Sequence, residues 1–303
     1  MSTVLPNGSL TQAAERKRGI GRALVKSIRE YPMVYLGSFI VFVLIVVAVF
    51  APWLAPYDPT KQFANGLTPD GMPVAPNHQF LLGTDDVGRD ELSRLIYGSR
   101  VSLEVGIFAT FISLVIGTTL GLISGYFGGV IDSVIMRLTD VVLAFPFLLL
   151  TMALVAVLQP SVTNVFIAIG VQGWGTMARV VRGQVLAVKS FEYVQAERAI
   201  GASTARILFR VILPNVLGPV IVLAALSVGF NILAEAGLSV LGIGVQPPTP
   251  SWGNMVSEGL LTYRFAPWMM WAPGTALLIA VLGFNLLGDG LRDIFDPRTT
   301  THG

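Results

Sequence analysis

The sequence predicts an all-α integral membrane protein with six transmembrane helices and one long polar cytoplasmic loop. Three observations predict it. Hydrophobic residues make up 53% of the 303 residues and charged residues 13%, about half the charged share of a soluble domain. Apolar runs of spanning length recur along the chain. Basic residues are distributed unevenly between the segments that separate those runs.

The first apolar run, from Met33 to Ala51, carries no charge. It is longer than a signal-peptide core and Pro52 and Pro56 follow it, so it reads as a retained span. Spans are expected near Met33–Trp53, Val101–Tyr126, Ile135–Leu158, Val162–Val181, Val216–Leu238 and Trp268–Leu287. The fourth is interrupted by Gln172, Gly173 and Gly175 and ends at Arg179. Gly117, Gly121 and Gly125 lie four apart on the second span, a spacing that lets another helix backbone approach closely. Pro146 is expected to kink the third span.

With the N-terminus inside, outer segments hold only Lys61, Arg89, Arg94, Arg100 and Arg264 of the 20 lysines and arginines. The positive-inside rule then places both termini in the cytoplasm. The expected organisation is an N-terminal cytoplasmic or interfacial segment (1–32), a first span (33–53), a periplasmic segment (54–100), a core of five spans (101–290) with a cytoplasmic loop at 182–214, and a cytoplasmic tail (291–303). Ile20, Leu24 and Ile28 alternate with basic residues and suit either an interfacial helix or a solvated basic tail.

Several chemistries are excluded. Cysteine is absent, which removes disulfides, iron–sulfur ligation and thiol catalysis. There is no Gly-rich phosphate loop ending in Lys-Ser/Thr and no His-Glu-x-x-His pair. His78 and His302 are the only histidines, so no catalytic or metal-ligating set is expected. A net charge of +2 gives no reason to expect nucleic acid as a partner. Glu235 and Asn231 are the candidate substrate-pathway residues. Glu235 reads either as an acid that meets a substrate ammonium group or as one hydrated near the outer interface. Asp140 is expected to pair with Arg137, and the Asp289, Arg292, Asp293 cluster with Arg179, Arg182 or a partner.

The most informative stretch is Glu192 to Pro214. Two helical stretches, 190–200 and 203–213, are separated at Gly201, which suits a sharp bend. Ser203 is placed to cap the second. Ile207, Leu208, Val211 and Ile212 form an apolar face there, Arg206 and Arg210 share a cationic one, and Pro214 is expected to separate the stretch from the next span.

Gln195-Ala196-Glu197, Gly201, Val211, Leu213 and Pro214 stand at the spacing of the coupling loop in binding-protein-dependent ABC importer permeases, which this segment resembles. Gln195 stands where that pattern has Glu, Glu197 where it has Ala, and Val211 where it has Ile. Further motifs resemble the C-type permease of the dipeptide, oligopeptide and nickel subfamily. Among them are Leu82-Gly83-Thr84-Asp85-Asp86-Val87-Gly88-Arg89-Asp90, Ala144-Phe145-Pro146 and the run from Leu241 to Gly253.

The resemblance implies a type I importer permease of the bacterial inner membrane that binds no cofactor. Its implied partners are a homologous B-type permease, two ABC ATPase subunits carrying ATP and Mg, an extracytoplasmic binding protein and the lipid bilayer. It implies ATPase-coupling contacts at Glu192, Tyr193, Gln195, Ala196, Glu197, Gly201, Ala202, Ser203 and Arg206, with Leu213 and Pro214 ending the elbow. It also implies a periplasmic lid or binding-protein contact at Asp85, Asp86, Arg89, Asp90 and Trp252; by its type the tryptophan is able to sit at the membrane interface. The implied function is transport of di- or oligopeptides or a related small substrate. An ion-coupled secondary carrier and a non-transporting anchor or sensor are the alternatives.

Overall fold

The computed structural model describes residues 31–295. The expected N-terminal interfacial helix and the end of the C-terminal tail lie outside them. Apolar sequence and intrahelical hydrogen bonding make the described chain mostly helical, as a bilayer requires of a spanning backbone, with residues 55–90 and 241–251 as the long irregular segments. The helices are α1 (Pro32–Val49), α2 (Ala51–Leu54), α3 (Glu91–Phe127), α4 (Gly129–Ala144), α5 (Phe147–Leu158), α6 (Val162–Lys189), α7 (Glu192–Ala199), α8 (Thr204–Arg206), α9 (Leu213–Val240), α10 (Trp252–Thr262) and α11 (Trp268–Phe295). A π-helical segment, Ile207–Ile212, joins α8 to α9.

Among the described residues four helices are long and apolar enough to cross a membrane: Pro32–Val49, Glu91–Phe127, Thr204–Val240 and Trp268–Phe295. The broken pair α4 and α5 makes a fifth if it is one span. The expected fourth span forms most of α6, which is long enough, but Asn164, Gln172, Arg179 and Arg182 make it too polar to count by composition. The expected six are therefore not reached on these measures.

Other expectations are corrected by local chemistry. The second span begins ten residues early, because Asp90 caps α3 by accepting from the Ser93 N–H at 2.8 Å. At Pro146 the third span is broken rather than kinked, with α4 and α5 at 91°. Phe145, held extended before the proline, ends α4 (ψ 137°). Pro214 does not separate the elbow from the fifth span. It follows closely on the π-helical segment, and the chain from Thr204 to Val240 runs on as one helix. The π-helical register just before it, with the Leu213 N–H bonded to the Leu208 carbonyl, widens the turn where the ring would crowd a carbonyl.

The most extensive helix contact is α3 against α6. The glycine stripe expected on α3 lies in it. A Cβ on Gly117 would come within 2.5 Å of Met177, and one on Gly121 within 2.7 Å of the Ala178 carbonyl oxygen. A second close pair, α1 against α11, is joined at Gly37, Gly283 and Gly290. A buried cluster that includes Leu122, Val181, Val185, Val194, Ile207 and Ile212 ties the elbow to this scaffold.

Candidate functional site

The elbow is built from its ends inward. Lys189, the last residue of α6, donates to the Tyr126 carbonyl and, at 3.4 Å, to the Gly125 carbonyl at the end of α3. A cation at a helix C-terminus also meets the negative end of its dipole. Arg198 lies over the Tyr126 ring, 5.0 Å from its centre. Gln195 Nε2 donates to the Lys189 carbonyl at 2.9 Å, folding α7 back onto the root of the loop. Val194 is buried beneath α7.

The bend itself is a Schellman motif. The Gly201 N–H donates to the Arg198 carbonyl and the Ala202 N–H to the Glu197 carbonyl, both at 3.0 Å. Gly201 has φ 78°, a left-handed conformation natural to glycine. Ser203 then caps the second arm, accepting from the Arg206 N–H at 3.4 Å. Arg206 also pairs across the bend with Glu197 at 3.5 Å. The pair is half exposed and adds little stability; the Schellman motif and the Ser203 cap define the bend. The apolar face expected on the second arm is present, with Ile207, Leu208 and Ile212 buried. Phe191, Tyr193, Ile200 and Phe209 stay exposed around the bend, as do Glu192, Gln195, Ala196, Gly201, Ser203 and Pro214, while Ala202 and Leu213 are partly covered.

Beside the middle of the Thr204–Val240 helix, at residues 223–231, lies a cavity of about 600 Å³. The Phe145-Pro146-Phe147 break forms one wall, and α3, α6 and α9 the others. Asn231 lines it and donates through Nδ2 to Thr110 Oγ1 at 2.9 Å. Glu235 is not part of the lining. It is fully buried, and it accepts from the Ser239 and Ser251 hydroxyls at 2.7 and 2.8 Å. It is thus not hydrated in this structure, and its Oε1 ties α9 to the cap of α10.

The segment before α3 folds onto its own subunit. Phe63 and Phe80 pack edge to face beside Tyr57. Asp85 accepts from the backbone N–H groups of Val87 and Arg89 at 3.0 and 2.8 Å, and pairs with Arg89 at 2.5 Å and Arg94 at 3.2 Å. Arg94 reaches Glu258 on α10 at 2.8 Å. Burial pushes the Glu258 carboxyl above its ordinary range, while Arg94 and Arg89 pull it back. Asp85, Asp86 and Glu258 bring carboxylate oxygens within 4.8 Å of one another, and the two arginines supply the balancing charge. Asp85, Arg89 and Asp90 are buried and Asp86 is exposed, so only Asp86 of that set is free to meet a partner. Trp252 is also buried, not interfacial, because its indole N–H donates to the Leu95 carbonyl at 3.0 Å and its backbone N–H to Ser102 at 3.1 Å.

Residues 117–301 match the family model described as binding-protein-dependent transport system inner membrane component. The chain belongs to this family. Residues 24–69 match the N-terminal TM domain of oligopeptide transport permease C. The chain is 45% identical to the dipeptide transport system permease protein DppC of Haemophilus influenzae, over 87% of this chain and 90% of that one. It is 46% identical to the di/tripeptide permease protein DppC of Pseudomonas aeruginosa, over 87% and 88%. It is 41% identical to the glutathione permease protein GsiD of Pectobacterium atrosepticum, over 89% and 88%. Its fold is similar to a chain of the MetNI methionine ABC transporter in an inward-facing conformation, with a TM-score of 0.55 and 18% identity over 67% of this chain and 96% of that one.

Within this family frame the sequence reading missed several partners. Asp140 pairs with Arg179 of α6 at 2.5 Å, not with Arg137. Arg182 makes a two-point bond to Asp132, at 2.5 and 2.6 Å. Both arginines expected to meet the Asp289 cluster are thus engaged on α4. The clamp of Lys189 and Arg198 on Tyr126 left no sequence signal, since its members are more than 60 residues apart. Gln172, seen in the sequence only as an interruption of a span, lines the cavity.

Proposed function

We propose that this chain is one membrane-spanning half of an ATP-driven importer of di- or oligopeptides. It carries out no chemistry of its own. A homologous B-type permease supplies the other half, two ATPase subunits dock at the elbow, and a binding protein delivers substrate on the opposite face. The names of the relatives support the peptide class. The excess of basic residues around the elbow supports a bacterial inner-membrane orientation with the elbow and both termini in the cytoplasm, and a six-span topology in which α6 is the most polar span.

The observation that carries the proposal is the elbow. Its exposed rim offers Glu192, Tyr193, Gln195, Ala196, Gly201, Ser203 and Arg206 to a docking partner, while its buried face is packed into the helix scaffold. A surface that is locally rigid and joined to α3 and α9 suits the transfer of motion from a partner into the spans. ATP-linked movement would then shift the balance between two packings of those spans. Leu213 and Pro214 end the elbow without breaking the helix. Asn231 sits on the passage. The segment 54–90 closes over its own subunit and leaves Asp86 as a contact for the binding protein.

The test is reconstitution of this chain with the other permease, the two ATPases and the binding protein in proteoliposomes. Peptide should accumulate only with ATP inside the compartment that the ATPases face. Transport without the ATPase subunits would make the chain a secondary carrier. Assembly and ATPase regulation without accumulation would make it a sensor.

A further inference from the structure

Gln172 is 4% exposed, lies in the cavity lining, and its Oε1 has no hydrogen-bond partner. A buried acceptor left unmade is costly, so one that faces a cavity points to a ligand that supplies the donor. The rest of the lining agrees. Asn231 uses an N–H on Thr110. The Ser113 hydroxyl donates to the Gly170 carbonyl at 2.9 Å and the Ser227 hydroxyl to the Leu223 carbonyl at 2.7 Å. Those three side-chain donors are thus committed to the protein, and the Gln172 amide and the Thr176 hydroxyl are left over for a ligand. No Asp, Glu, Lys or Arg lines the cavity, so a charged group entering it would be desolvated without a counter-charge. Phe147 and Phe230, edge to face at 5.1 Å, form an apolar wall beside these amides. The cavity, at about 600 Å³, is of the size that holds small ligands.

We propose that this cavity is a peptide-unit subsite: Gln172 and Asn231 bind the uncharged main-chain amide of a passing substrate, and the aromatic wall takes a side chain. The charged termini of the substrate, only a few ångströms from that amide in a dipeptide, stay toward the open mouth of the cavity. This inference rests on the importer reading and adds where, and by which groups, the chain touches its cargo.

The test uses the complete reconstituted transporter with binding protein saturated by one of two probes. One is a dipeptide. The other is its depsipeptide analogue, in which an ester oxygen replaces the peptide N–H. Wild type should move the dipeptide roughly two- to tenfold faster, the worth of one neutral hydrogen bond. Gln172→Met should lower the dipeptide rate to the depsipeptide level and leave the depsipeptide rate unchanged. Equal rates for the two probes in wild type overturn the subsite, whether or not any variant assembles. So does a Gln172→Met protein that keeps the wild-type preference. Movement of neither probe by the wild-type complex sinks the importer reading instead.

Discussion

The bend at Gly201 offers the sharpest test of how the elbow works. No atom lies within 4 Å of where a Cβ on Gly201 would stand, so substitution there causes no clash. What remains is the backbone cost of holding φ near 78°. For an L-residue with a plain side chain that cost is about 1–2 kcal/mol, roughly a five- to thirtyfold shift between the native bend and its alternatives. Gly201→Ala should therefore assemble normally and lower the ratio of peptide imported to ATP hydrolysed by several-fold. Gly201→Asn should fall between Ala and wild type, because Asn tolerates the left-handed region better. Gly201→Pro should uncouple the two activities, since it fixes φ near −65° and removes the N–H that bonds the Arg198 carbonyl. Uptake and ATPase activity are measured in the same proteoliposomes. A Pro variant with the wild-type ratio would refute the requirement for a fixed bend.

Three further outcomes are expected. Gly121→Val should destabilise the protein by at least about 1–3 kcal/mol, because its Cβ would meet the Ala178 carbonyl oxygen, whereas Gly183→Ala on α6 has open space and should be neutral or mildly stabilising; thermal unfolding in detergent separates them. Arg94→Met should loosen the segment before α3, since removing one partner of a buried charge pair costs about 3–5 kcal/mol, and should be seen as faster proteolysis near Lys61. The Glu258 carboxyl sits above its ordinary value of 4.5 in the folded protein, so the folded state holds this proton more tightly than the unfolded one. The stabilisation from protonating Glu258 is then full below 4.5 and lost as pH rises through the folded value. Wild type minus Glu258→Gln should show that slope in melting temperature, and a flat difference would contradict it.

The sequence made the spans legible wherever apolar residues ran unbroken, and the elbow legible because Gly201 and Ser203 carry local rules: a left-handed turn and a cap. The glycine stripe at 117, 121 and 125 identified its own helix face, though not that α6 was the partner. The failures have a common cause. Asp140 could pair along its own helix with Arg137, and only the packing of α4 on α6 put Arg179 nearer. Trp252 is amphipathic and fits an interface by type, but tertiary acceptors at Leu95 and Ser102 drew it inside. Pro214 looked like a break because the rule for proline is local, and a π turn before it let the helix continue. Gln195 and Glu197 looked like departures from a family pattern. In the fold Gln195 donates a hydrogen bond that a carboxylate cannot donate, and Glu197 braces Arg206.

With partners docked at the elbow as proposed, the continuous helix from Thr204 to Val240 would serve as a lever. Arg206 and Asn231 lie about 38 Å apart along it at about 1.5 Å per residue. If the docked end stays put, tilting the rod by about 5° swings the Asn231 side by roughly 3 Å. That is enough to make or break a hydrogen bond, whose useful range spans only about half an ångström. On the proposed docking at the elbow and substrate contact at Asn231, a small rotation at one end would change the hydrogen bonding available at the other.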